Sequence, residues 1–264
     1  MDLGLKGKVA IVLAASKGLG RASAAALAAE GVSVAIGARN ERTLKETAEH
    51  IRQESGSRVL TIPTDVTKPE DLNAIVDATV REFGQVDILV NNAGGPPPGI
   101  FESFDDTQWQ AAFELNLLSV VRLIRLVLPQ MRKQGSGRIV NIVSTSVKQP
   151  IDGLLLSNSI RPGVIGLAKS LSIELASDKI TINNVCPGRI LTDRIRQVYQ
   201  LDEKKRQGID EEEALKEAVQ GIPMARLGKP EELGALVAFL ASEQAAYITG
   251  TTIQVDGGVT RSLL

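Results

Sequence analysis

Cysteine, histidine and aromatic side chains are almost missing from this chain. Among 264 residues there is one cysteine, Cys186, and one histidine, His50, and Phe, Trp and Tyr together make up 3%. A lone cysteine excludes an internal disulfide and a cysteine-based metal cluster. His50 lies in the charged helical run KETAEHIRQE and reads as part of a solvated face, so zinc chemistry and a Ser/His triad are not expected. Charge of either sign is not in excess: the net charge of -1 gives no field that would gather nucleic acid or an acidic membrane surface. Long apolar runs are missing too. The longest, such as Gly234 to Ala241, cannot span a bilayer, and the start MDLGLKGK has no apolar segment of the signal-peptide kind, so a cytoplasmic protein without membrane contact is expected.

What is present is ample core, with 43% hydrophobic residues, and a repeated alternation of strand-like and helix-like stretches. The chain is organised around KVAIVLAASKGLG, Lys8 to Gly20. Val9 to Leu13 is apolar and rich in branched residues, as suits a strand buried on both faces of a parallel sheet. The Ala-rich run from Arg21 to Glu30 can lie close against such a sheet. Between them, Gly18 and Gly20 allow a tight turn and a close approach by a pyrophosphate, whose charge the free N–H groups of a helix N-terminus stabilise. Many βα turns with two glycines bind nothing, so the turn needs support from further along the chain.

That support comes in order. Strands are expected at Val32 to Ala38, Arg58 to Ile62, Val86 to Val90, Arg138 to Val143, Ile180 to Val185 and Thr251 to Val255. Helices separate them, including a long one from about Asp106 to Gly135 and others at Pro162 to Ala176 and Glu231 to Ala241. This is the pattern of an α/β, doubly wound Rossmann-type fold: one seven-stranded parallel sheet with helices on both faces, in a single domain over 1–264. Residues 189–228 break the alternation with charge-rich segments. An insertion at the carboxyl end of a strand lies where ligands bind, so it reads as a substrate lid, with an oligomer contact or surface decoration as the other readings.

The turn AASKGLG, Asp65-Val66, Asn91-Asn92-Ala93-Gly94, Asn116, Ser144, Cys186-Pro187-Gly188 with Thr192, and Asp256-Gly257-Gly258 together resemble the short-chain dehydrogenase/reductase family. The likeness extends over almost the whole chain and is closest to the β-ketoacyl-carrier-protein reductase-like branch. It implies a dinucleotide held by Ala14, Ser16, Lys17, Gly18, Leu19 and Gly20, by Asp65 and Val66, by Asn92, Ala93 and Gly94, and by Pro187, Gly188, Ile190 and Thr192. In that scheme Asp65 bonds the adenine amino group, Asn91 and its neighbours line the adenosine side, and Thr192 holds the nicotinamide amide. Where a carboxylate at the end of the second strand would accept the ribose 2′-OH of NAD, this chain has Ala38-Arg39, and Lys17 stands just before Gly18. Two cations and no acid favour NADP over NAD.

The chain departs from the family in two places. Leu13-Ala14 replaces the Thr-Gly that opens the turn, and alanine disfavours positive φ. More consequentially, the Tyr-x-x-x-Lys pair falls, counting thirteen residues from Ser144, on Ser157 and Arg161. The two tyrosines, Tyr199 and Tyr247, have no lysine four residues later. A tyrosine has a pKa of about 10 and an aliphatic hydroxyl one nearer 15.7, a loss of about 8 kcal/mol in proton-transfer driving force. Even half of that in the barrier costs about a thousandfold in rate. Arg161 stays charged and could bond the nicotinamide ribose without relaying a proton.

Asn116 and Ser144 remain: Ser144 could polarise a carbonyl, and Asn116 could hold a water that supplies the proton. Lys148 and Tyr199 are the candidate replacement acids, against their ordinary roles as a surface lysine and a packing tyrosine. The expected catalytic set is therefore Asn116, Ser144, Ser157 and Arg161. The expected function is NADP-dependent hydride transfer on a carbonyl or alcohol through a non-standard proton donor. The alternative is an NADP-binding sensor or scaffold with little turnover. The resemblance also implies a homo-oligomer, tetramer or dimer, with a small-molecule substrate.

Overall fold

The computed structural model describes residues 2–263. Seven strands, β1 (Val9–Leu13), β2 (Ser33–Ala38), β3 (Val59–Pro63), β4 (Ile88–Asn91), β5 (Gly137–Ile142), β6 (Ile180–Pro187) and β7 (Thr252–Val255), form one sheet in the order β3-β2-β1-β4-β5-β6-β7. Every pairing is parallel. Parallel neighbours need crossovers, and these are helices: α1 (Gly18–Ala29), α2 (Glu41–Ser55), α3 (Pro69–Phe83), α4 (Asp106–Phe113), α5 (Ser119–Gln134), α6 (Leu155–Ile160), α7 (Pro162–Glu174), α8 (Asp193–Val198), α9 (Leu201–Arg206), α10 (Glu211–Val219) and α11 (Pro230–Ala241). The doubly wound Rossmann-type fold expected from the alternation is what the chain adopts.

Two apolar layers bury the sheet. On one face Val12, Val34 and Val90 pack with Leu27 of α1, Leu44 of α2 and Val237 of α11. On the other, Ile11, Leu89 and Ile139 pack with Ile75 of α3, Val127 of α5 and Val164 of α7. Alternate residues of each strand thus go to opposite layers, which explains why β1 reads as an unbroken apolar run. The strand order reverses between β1 and β4, and the crevice at the carboxyl ends of those strands is the ligand position of such sheets.

Two expectations change. The long helix from about Asp106 is not continuous: α4 passes into a π-helical stretch, Glu114–Leu118, and then α5. The apolar spacing is kept across the break because Leu117 still follows Phe113 by four and Val120 follows by three, so the inserted residue leaves no mark on the pattern. Residues 155–160 form a further helix, α6, running almost directly into α7, and Arg161 N donates to Ser157 O across the junction at 3.2 Å.

The 189–228 segment makes three short helices over a small apolar cluster of its own, Ala218, Ile222 and Leu227 with Leu191, Ile195, Tyr199, Leu215 and Val219 around it. Its two ends are pinched together by a bridge between Ile190 and Gly228, with Leu191 N donating to Gly228 O at 2.8 Å and Gly228 N to Arg189 O at 3.0 Å. No described helix is long and apolar enough to cross a membrane.

Candidate active site

The expected cofactor residues gather at the carboxyl edge of the sheet. Ala14 follows β1 with φ +48, a left-handed conformation that costs an L-residue on the order of 1–3 kcal/mol. The strain brings its carbonyl to the start of α1, where a Cβ on Gly20 would lie 2.4 Å from Ala14 O. Only glycine fits there. Gly18 has φ +56, and a Cβ on it would meet the Thr192 methyl at 3.5 Å, so the residue expected at the nicotinamide end stands directly across from the turn. No side chain caps α1 and no acid stands in its first turn. Its leading N–H groups are thus available to an anion, and the macrodipole favours one. This uncapped turn, closed over by Gly20, fits the pyrophosphate of a dinucleotide.

Asp65 accepts at Oδ1 from the backbone N (3.0 Å) and hydroxyl (2.8 Å) of Thr67. Partial burial raises its pKa, but those hydrogen bonds and the charges of Arg39 and Lys68 outweigh this and lower it overall. Arg39 is exposed, and Val66 is half-buried and lines a cavity with Asn92 and Asn116. Asn92 donates to Leu13 O at 3.3 Å and so borders the turn, followed by Ala93 and Gly94. Pro187-Gly188 is seated against Asp256, whose Cβ would lie 2.6 Å from a Cβ on Gly188, and Ile190 is buried at the neck of the 189–228 segment. Lys17 Nζ lies 3.3 Å from Asp193 Oδ2.

Asn91 ends β4 and lines the same cavity as Asn92 and Ala93. It is 2% exposed, inside the sheet, and donates to Asn141 Oδ1 at 2.8 Å. Asn141 in turn donates to Asn184 at 2.9 Å, and Asn184 to the Thr252 hydroxyl at 3.2 Å. These four residues are in register across β4, β5, β6 and β7. The ladder was missed from the sequence; asparagines inside the apolar runs RIVNIV and TINNV were its only signal.

At the end of β5 the expected catalytic residues come together with one that was not expected. Ser144 Oγ accepts from Ser146 N at 3.1 Å, and Ser146 Oγ is 3.0 Å from Ser157 Oγ. Ser146 is thus the link between Ser144 and Ser157. Its signal was faint, a second serine two residues on. Ser146 and Ser157 are buried, whereas Ser144 is half-buried.

Arg161 is also buried and donates to Val143 O (3.2 Å) and Gly94 O (3.5 Å). No carboxylate pairs with it among the described residues, and burial pulls its pKa down to about 10. Cys186, beside Ser144, has its thiol pushed up to about 12 by burial, against the charges of Lys148 and Arg161, and stays protonated at neutral pH. Asn116, on the π-helical stretch, donates to Gly94 O at 2.9 Å, while its buried Oδ1 has no partner among the described residues. Such an atom suits a bound water or ligand hydroxyl.

Of the two candidate replacement acids, Lys148 is half-buried near this cluster, and Tyr199 packs in the core of the 189–228 segment. Tyr247 is fully exposed.

Comparison with known proteins agrees with this edge. Residues 13–260 match a family model described as enoyl-(acyl carrier protein) reductase. A short chain dehydrogenase/reductase of Aspergillus oryzae is 38% identical over 258 residues, covering 97% of this chain and 95% of its own. The chain belongs to the short-chain dehydrogenase/reductase family. The 3-oxoacyl-[acyl-carrier-protein] reductase FabG of Escherichia coli is 37% identical over 257 residues, covering 97% and 99% of the two chains. Among solved structures, L-sorbose reductase of Gluconobacter frateurii, complexed with NADPH and L-sorbose, superposes with a TM-score of 0.94 at 35% identity over 100% of both chains. An actinorhodin polyketide ketoreductase with NADPH gives 0.87 at 35% identity over 96% and 97%. As a short-chain dehydrogenase/reductase, this protein is an oxidoreductase.

Proposed function

We propose that this oxidoreductase uses NADP(H), in preference to NAD(H), to interconvert a carbonyl and an alcohol, with no tyrosine as proton donor. What carries the reading is the closed-over turn at Ala14 and Gly20 with Thr192 opposite, set on the same sheet edge as Ser144. Two further observations support it: Ala38-Arg39 places a cation and no acid at the end of β2, and solved relatives are complexed with NADPH.

The nicotinamide, when bound, supplies or accepts the hydride. Ser144 Oγ accepts from Ser146 N, which leaves its own proton to polarise a substrate oxygen. Ser157 stands where the family has its phenol, and its contact with Ser146 joins it to the same hydroxyl cluster. Its acidity is too low for direct proton transfer at a tyrosine-like rate. Arg161 holds the 94 and 143 backbones together and has N–H groups left for a ribose hydroxyl, and its charge is kept up to about pH 10, so it positions and does not relay. The proton then comes from a water held at Asn116 Oδ1. Residues 189–228 serve as a lid over this edge, and the protein works as a homotetramer or dimer. The same Ser157 favours a second reading, an NADP-binding protein with little or no turnover.

Melting with each cofactor tests the first half. NADPH at a hundred times its dissociation constant adds about 2.7 kcal/mol of stability, and NADH should shift the transition less. No shift with either would end both readings. NADPH consumption over a panel of ketones and aldehydes then divides them. The Ser157→Tyr, Arg161→Lys double variant is expected to raise an existing rate by about a thousandfold; activity found in that variant alone would make the natural chain a binder.

A further inference from the structure

Lys17 is the residue before α1, on the turn assigned above to the dinucleotide, and its Nζ is 3.3 Å from Oδ2 of Asp193. Asp193 opens α8, the first helix of the 189–228 segment. The residue before it, Thr192, has its methyl group 3.5 Å from where a side chain on Gly18 would begin. The start of the segment therefore faces the nucleotide turn at Thr192 and is tied to it by charge at Asp193. The side chains of Lys17 and Asp193 are 66% and 58% exposed, so an anion arriving from solvent can reach the lysine without displacing any packed group.

We infer that Asp193 is a specificity residue, whose carboxylate competes with the cofactor's 2′-phosphate for Lys17. The inference rests on the reading that Lys17 and Arg39 meet that phosphate. A ribose 2′-hydroxyl carries no charge with which to take an ammonium from a carboxylate, whereas a phosphate near two negative charges does. Only the phosphorylated cofactor therefore frees Asp193, and with it the first turn of α8, from the end of α1. Arrival of the right cofactor is coupled in this way to release of the segment that follows Thr192. The coupling is small, because an exposed ion pair shifts an equilibrium by only about 1.4- to 5-fold.

Calorimetric titration of NADPH and NADH into the full chain and into Asp193→Asn, Lys17→Ala and the double variant tests this. The exposed position of Asp193 makes Asp193→Asn a safe change for folding, and circular dichroism checks it. Asp193→Asn is expected to tighten NADPH about threefold and leave NADH unchanged, with the gain gone in the Lys17→Ala background. A gain that persists without Lys17 would mean direct repulsion of the phosphate and would overturn the competition. So would an equal gain for both cofactors, or none. If the wild type shows no preference for NADPH, the cofactor reading itself falls and takes this inference with it. A preference that is kept while Asp193→Asn changes nothing removes the competition alone.

Discussion

Ala14 pays for the nucleotide turn with a backbone conformation that its side chain disfavours, at φ +48. Relief of that strain outweighs the extra chain entropy of glycine, so Ala14→Gly should stabilise the fold by about 0.5–1 kcal/mol, read as a rise of about 1–4 °C in Tm. Gly20→Ala runs the other way. Its methyl would meet the Ala14 carbonyl at 2.4 Å, a backbone atom that cannot swing aside, so a loss of about 1–3 kcal/mol is expected in the same melt. Arg161 is costly in a different manner. Its folded pKa, about 10, lies below the ordinary guanidinium value, so the native state gives up the proton more readily than the unfolded chain does. The penalty of burying the charge is then whole below pH 10 and is relieved as pH rises from there toward the ordinary guanidinium value. Arg161→Met removes the penalty but leaves Val143 O without its donor. Stability at pH 7 should therefore stay within about 1 kcal/mol of wild type while the NADPH-induced shift shrinks. At this scale the sequence displayed Ser144, Ser157 and Arg161 through spacing. It displayed the strain at Ala14 as well, an alanine where the family opens the turn with glycine, but not the role of Ser146, which depends on which hydroxyls the turn brings face to face.

Among the elements, the neck of the 189–228 segment has the sharpest electrostatic signature. Glu232, on the first turn of α11, accepts from Arg226 at 2.9 and 2.7 Å and from the Lys229 backbone at 2.7 Å, and the Arg226 hydrogen bonds foremost bring its pKa down to about 2. Gly228, between those two partners in sequence, closes the bridge to Ile190. A carboxylate lowered in this way supports the neck fully above its ordinary pKa of 4.5 and gives that support up as pH falls through about 2. Glu232→Gln imitates the protonated form at neutral pH. Amide exchange across 189–228 should then quicken while the strands of the sheet keep their protection. Equal loosening everywhere would mean that the neck is no separate unit. The segment itself was legible as an interruption in the strand–helix alternation, because its charge runs are foreign to a crossover helix. The π-helical stretch that carries Asn116 was not. Its extra residue is absorbed between two apolar contacts, and an apolar period reports which face is inward rather than how tightly the helix is wound.

For the molecule as a whole, alternation alone implied the seven parallel strands, since each apolar run is too short for anything but a strand and each connection long enough for a helix. What it could not imply is what lies beyond the outer helices. An apolar helical face reads the same whether it meets a sheet or a second subunit. The outward side of α7 carries Pro162, Gly163, Gly166, Lys169, Ser170 and Ile173, all exposed, with Ile173 at 74%. Next to it, Phe113 is 41% exposed, and a Cβ on Gly163 would press to 2.9 Å of Leu117, so α7 lies close against the π-helical stretch. Small residues beside isolated apolar ones let a second helix approach closely, and a two-fold axis there would use each residue twice. Burying one isoleucine is worth about 1.5–3 kcal/mol, hence about 3–6 kcal/mol for the symmetric pair. Ile173→Glu places two carboxylates where those side chains would meet and should convert the oligomer to a smaller species in light scattering, with the NADPH-induced melting shift kept in sign. A wild-type chain that is monomeric at tens of micromolar, or a variant whose mass does not change, would show that this face remains in solvent.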